Sequence, residues 1–307
     1  SARFLRCYRP GAYNRRMMKR VGVMMTVAAA ISVVVVAPAE GGVKVTATPS
    51  SLRQGDAGAL IVTGVPEAKL IEGSVGDRPL IFFPYADGYA ALIGVDLAAP
   101  TGSATWRVGW VDGAGNPRKA VGTIKIKSRK FPVQKLSLPG NLVDLDRVTE
   151  QRADREAAQL NTLYGMSSGE RLWRGHFTRP VTSTGPGEGF GARRVINGKA
   201  RSPHSGLDYA APTGTPVVAA NRGRVALIGD FFFGGRTVAL DHGQGLYTLY
   251  MHLDRVQVAE GILVERGDTI GAVGSTGRAT GPHLHWSAQL RRARVDPAGL
   301  LALPVRD

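Results

Sequence analysis

Residues 224–253 read RVALIGDFFFGGRTVALDHGQGLYTLYMHL. Three apolar-rich runs, 224–228, 236–240 and 246–250, are separated by Gly234-Gly235 and by His242-Gly243-Gln244-Gly245. Short runs rich in valine, leucine, threonine and tyrosine between glycine turns are strand material joined by hairpins. The run 215–220 (TPVVAA), followed by the turn Asn221-Arg222-Gly223, adds another. The pattern predicts a compact, largely antiparallel sheet domain and not an alternating strand–helix fold.

The same region holds the chemistry. All six histidines, His176, His204, His242, His252, His283 and His285, lie at residue 176 or beyond. The informative pieces are His204-Ser205-Gly206-Leu207-Asp208 and His283-Leu284-His285. A hydrolytic zinc site needs three nitrogen or oxygen ligands and one position left for water, which two imidazoles and a carboxylate supply. Residues two apart on a strand share a face, so His283 and His285 can enter one site. Gly206 is expected to bend the chain so that His204 and Asp208 converge. His252 adds an imidazole at an expected strand end. His176 and His242 read as surface or core material, His242 as a cap on backbone groups.

These residues belong to a longer ordered series: Ala211-Pro212-Thr213-Gly214-Thr215-Pro216-Val217, Asp241-His242-Gly243, Tyr250-Met251-His252-Leu253, Gly267-Asp268-Thr269-Ile270-Gly271, Gly274-Ser275-Thr276-Gly277 and Thr280-Gly281-Pro282-His283-Leu284-His285. With it, residues from about 190 to 290 closely resemble the LytM/lysostaphin-type zinc endopeptidases, which cut peptide bonds in peptidoglycan. The resemblance implies that His204, Asp208 and His285 bind one zinc ion per chain, and that His252 and His283 are catalytic. His283 would accept the proton of the attacking water. His252 would hydrogen-bond the oxyanion or the water, and these two roles are exchangeable at this level. Trp286-Ser287 stand where an aromatic-plus-acid pair is more usual, a departure that touches substrate detail and not the metal.

Upstream, residues 43–127 alternate apolar and polar residues in short runs, which predicts a small β-sandwich of roughly immunoglobulin-like size. Residues 144–164 have helix composition with both charge signs exposed and stop at Gly165. The expected organisation is an N-terminal extension with signal at 1–40, a sandwich at 41–130, a helical linker at 131–175 and the endopeptidase domain at 176–304. Gly165-Met166-Ser167-Ser168-Gly169 fits the serine-hydrolase elbow pattern, but a helix precedes it where a strand is required.

Arg15-Arg16-Met17-Met18-Lys19-Arg20 and the apolar stretch 21–39 form an export signal, placing the body of the chain in the periplasm or cell envelope. Cleavage after Ala39 and retention of residues 21–39 as a membrane anchor are both open. The chain carries a net charge of +15. Seven of its cations lie in the first 20 residues, and residues 41 onward keep +9. That balance suits an anionic wall polymer. Nucleic acid is not expected, because no basic run with stacking aromatics occurs in 190–290. The single Cys7 excludes a disulfide framework. The competing function is a non-catalytic relative that binds and activates another cell-wall hydrolase, and the complete set of five site residues argues against it.

Overall fold

The computed structural model describes residues 42–65, 68, 70–183 and 185–305; the expected export signal and the candidate anchor at 21–39 lie outside the described residues. Among the described residues no helix is long and apolar enough to cross a membrane.

The upstream alternation becomes two sheets. One holds Lys44–Thr48, Ala57–Thr63, Gly88–Gly94 and Phe82–Tyr85 in that spatial order, all antiparallel. The other holds Ser51–Arg53, Pro117–Lys127, Gly102–Val111, Ile71–Val75 and Arg78–Pro79, antiparallel except for Ser51–Arg53. Leu60, Val62, Ala91 and Ile93 from the first meet Leu52, Val108, Trp110 and Ile124 from the second in one buried core. The alternate residues Ala59, Ala90 and Leu92 belong to a different core, shared with Trp173, Phe177, Leu290 and Val295. A sheet covered on both faces carries near-continuous apolar runs, which accounts for Ala-Leu-Ile-Val at 59–62. The two sheets therefore enclose one core and share a second with the residues downstream. Arg294 forks onto Asp96 at 2.7 and 2.9 Å, adding a charged clamp to the apolar contact.

The large C-terminal sheet runs Gly206–Ala210, His283–Leu290, Leu246–Val256, Gly235–Asp241, Gly223–Phe231, Leu263–Val264, with antiparallel neighbours. Thr269–Val273 pairs with the far end of Leu246–Val256. Tyr250, Leu284, Trp286, Val238 and Leu240 fill the shared core on one face. Ala239, Tyr247 and Leu249 face the other way, where Leu160 and Leu163 of the helix Arg147–Leu163 cover them. Asp146 caps that helix by accepting from the Thr149 amide. Glu156 accepts from the Phe232 amide at 2.7 Å, so the helix is tied to the sheet by charge as well as packing. The sandwich docks at the Leu290 end of the His283–Leu290 strand. The two histidines occupy the opposite end.

His242 is fully buried, as expected for structural material. Its Nδ1–H donates to the Arg222 carbonyl at 2.8 Å, and its Nε2 lies 2.7 Å from Thr248 Oγ1. Burial pushes its pKa down to about 4, against the opposing Arg222 bond. A folded-state pKa below the unfolded value means stability is full above about pH 6.5 and falls as pH drops through 4. At 1.36 kcal/mol per pKa unit the loss approaches ~3 kcal/mol. Urea unfolding at pH 7 and pH 4 should show the wild type losing about that much more than His242→Gln. Equal slopes for the two proteins would refute the assignment.

Candidate metal centre

Antiparallel pairing of Gly206–Ala210 with His283–Leu290 sets Asp208 directly opposite His285 and Ala210 opposite His283. The period of two puts both histidines on one face, as their spacing predicts. His204 enters from just before the first of these strands, and His252 from Leu246–Val256, next to Met251, the cross-strand partner of His285. Ring centroids are 4.7 Å apart for His204 and His285, 4.7 Å for His252 and His283, and 6.0 Å for His252 and His285. All five expected site residues thus meet in one cluster. His176 is exposed beside Arg266 and takes no part. Among the described residues the Ser167 hydroxyl hydrogen-bonds only the neighbouring Ser168 carbonyl, so the Gly165–Gly169 pattern has no partner histidine.

His204 Nε2, Asp208 Oδ1 and His285 Nδ1 form a triangle with sides of 3.1, 2.8 and 2.9 Å. His283 Nε2 stands further out, 3.8 Å from Asp208 Oδ1. Burial opposes the Asp208 charge, but hydrogen bonds from His204 and His285 overcome it and hold the carboxyl well below the usual carboxylate range. Burial pushes His285 downward despite its Asp208 contact. Burial, then the charges of His285 and His283, brings His252 down to about 3. Two basic nitrogens crowded against one carboxylate oxygen are the donor set of a hydrolytic zinc site. His204 Nε2 and His285 Nδ1 lie 2.9 Å apart, a contact that cannot be a hydrogen bond while both nitrogens donate to Asp208 Oδ1, so protons alone leave the triangle unsatisfied. A cation shared by the three atoms satisfies it, and the residues fit the metal.

The two outer histidines are oriented by backbone carbonyls. His283 Nδ1–H donates to Gly281 O at 2.8 Å, and His252 Nδ1–H to Thr276 O at 2.8 Å, leaving both Nε2 atoms bare. His252 differs from the strand end expected for it. It lies inside a strand, at φ +62°, where the pairing register shifts. Such a bulge re-aims a side chain and stores strain at a site. Gly206 also differs from expectation. It is the first residue of a regular strand and provides space, since a Cβ there would stand 2.6 Å from His285 Nε2. Gly189, which sequence reasoning missed, does the same for His204, with a Cβ 2.4 Å from Nδ1 at φ +97°.

A groove of about 640 Å³ runs past Asp208 and His283, lined also by Glu188, Gly189, Thr280 and Pro282. Its outer wall is Pro132–Gln134, because Val133–Leu136 adds in parallel to Arg193–Ile196. Arg194 approaches Asp208 Oδ2 at 3.6 Å, another neighbour the motifs did not signal.

The sequence profile described as Peptidase family M23 matches residues 202–297. Over 101 residues the chain is 48% identical to the DD-carboxypeptidase/endopeptidase Mpg of Neisseria meningitidis serogroup B, covering 33% of this chain and 23% of that protein. It is 40% identical over 94 residues to the peptidoglycan DD-endopeptidase ShyB of Vibrio cholerae, covering 31% and 22%. The matched segment thus spans under a quarter of each of these curated relatives. A solved structure from Pseudomonas aeruginosa assigned to peptidase M23 superposes with TM-score 0.55 at 29% identity, over 81% of this chain and 93% of that one. That likeness extends beyond the profile match into the upstream sheets.

Proposed function

We propose that residues 202–297, a peptidase family M23 domain, act as a zinc endopeptidase that hydrolyses peptide bonds in peptidoglycan stem peptides or cross-links. The observation that carries this reading is the convergence of His204 Nε2, Asp208 Oδ1 and His285 Nδ1 beside a groove that Asp208 and His283 line. The names of the relatives supply the substrate class. Zinc held by those three atoms supplies Lewis-acid polarisation of the scissile carbonyl and activation of water at neutral pH. His283, on the groove wall with Nε2 bare, takes the proton of the attacking water. His252 has committed its Nδ1 proton to Thr276, so its neutral form only accepts at Nε2. That suits holding the attacking water better than stabilising the oxyanion. On this reading residues 1–40 direct export and 41–130 form the sandwich. Residues 131–175 connect it to the catalytic domain at 176–304, which works outside the cytoplasm on the wall.

The purified chain should carry about one zinc ion and release soluble fragments with new amino termini from isolated peptidoglycan. A chelator should stop release and added zinc restore it. A chain that binds zinc and leaves peptidoglycan intact would move the reading to a regulator of another hydrolase.

A further inference from the structure

Beside the metal centre lie three arginines that the proposed chemistry does not use. Val195 pairs with Ala200 in the hairpin of Arg193–Ile196 and Lys199–Ala200, and the Arg201 amide donates to Arg194 O at 2.9 Å. Arg194 and Arg201 are therefore cross-strand neighbours, an arrangement that like charges disfavour. The third, Arg278, comes from the loop before His283–Leu290. Its guanidinium stacks on the Phe233 ring at 4.2 Å, while its amide donates to the Phe233 carbonyl at 3.1 Å. Burial and the charges of Arg194 and Arg201 together push Arg278 down to about 10. The three cations stand within electrostatic reach of one another.

Carboxylates do not balance them. Among the described residues Arg194 reaches only Asp208, which serves the metal centre, and Arg201 reaches only the exposed Asp144, at 3.4 Å. No carboxylate lies within ion-pair distance of Arg278 among the described residues. Arg201 Nε is buried with no hydrogen-bond partner. Elsewhere Arg294 is matched by Asp96, Arg129 by Asp296 and Arg222 by Glu265, while the part-buried Arg291 is held by the Pro79 and Leu92 carbonyls. The surplus is local and borders the groove, because Arg194 Nε donates to the wall residue Gln134 at 3.3 Å and Arg278 precedes Thr280 by two positions.

We propose that Arg194, Arg201 and Arg278 form an anion-binding subsite for a free carboxylate of the peptide substrate, with Phe233 positioning the Arg278 guanidinium. The inference rests on the endopeptidase reading above. A guanidinium takes a carboxylate through two parallel N–H···O bonds, and a bound carboxylate relieves the mutual repulsion of the cluster. The carboxylate comes either from the C-terminus of a stem peptide or from a side branch within it.

The test uses the zinc-loaded full chain and two acid/amide pairs of peptides. One pair is diacetyl-lysyl-D-alanyl-D-alanine and its C-terminal amide. The other is a pentapeptide amide whose internal γ-linked D-glutamate has its α-carboxyl free or amidated. A charged hydrogen bond of ordinary strength predicts that the wild type prefers the acid of one pair by about 10- to 100-fold in kcat/KM. The preferred pair identifies the source of the carboxylate. Arg278→Gln and, separately, Arg201→Gln should each bring the acid-over-amide ratio close to one, and Phe233→Leu should lower it part of the way. A wild type indifferent to amidation in both pairs would overturn the subsite, as would a preference that survives both arginine variants. If neither pair nor isolated peptidoglycan is cut, the endopeptidase reading fails separately. Dissociation constants of the same four peptides, by calorimetry, then decide the subsite on the same acid-over-amide ratio.

Discussion

His285→Ala is expected to take zinc from about one ion per chain to near zero and peptidoglycan cleavage to background. His285 is 7% exposed and shares the Asp208 oxygen with His204, so its loss removes one of three donors and one of the contacts that fix the carboxylate. The two donors that remain no longer make the enclosed half-shell that a tetrahedral ion needs. Wild-type thermal stability should rise with added zinc, by about 2.7 kcal/mol at a hundred times the dissociation constant. The variant should show no such rise. His285→Asn, which keeps a polar side chain beside Asp208, should lose zinc as well. Full zinc content in both variants would remove His285 from the ligand set and leave His283, at 3.8 Å from the same oxygen, as the replacement donor.

The C-terminal sheet was legible because its strands are short apolar runs between glycine turns, a signal that local periodicity carries. The five-residue cluster was legible because His204, Asp208, His252, His283 and His285 each sit in a recognisable piece of an ordered series. What spacing does not encode is which distant backbone a side chain will meet. Nothing near His252 announced a bulge, since the left-handed φ follows from how Gly235–Asp241 and Thr269–Val273 both pair with its strand. The groove wall at Pro132–Gln134 depends on a parallel pairing across some 60 positions, beyond any window of alternation. The arginine pair at 194 and 201 likewise looks like ordinary surface charge until the hairpin sets the two opposite each other. The upstream strands were half legible: the face toward the sandwich core alternates, but the other face is apolar too because it packs on Trp173 and Leu290.

His283→Ala should separate chemistry from metal binding. Zinc content should stay near one per chain, while kcat falls about 10²- to 10⁴-fold, the usual contribution of a positioned general base. The argument is positional. His283 lies on the groove wall, its Nδ1 proton is held by Gly281, and its Nε2 is bare and about an ångström further from Asp208 Oδ1 than the nearest donor of the triangle. His283 is a partly buried side chain at a groove edge and belongs to none of the apolar cores, so the folded state survives its removal to be assayed. KM should change little, because the base acts on the proton of water and not on peptide binding. His252→Asn is the matched comparison, since asparagine tolerates the left-handed backbone that alanine would strain. If His283→Ala keeps activity and His252→Asn abolishes it with zinc retained, the base is His252 and the two roles exchange. If His283→Ala loses zinc, His283 belongs among the ligands and the three-atom triangle is not the metal's own.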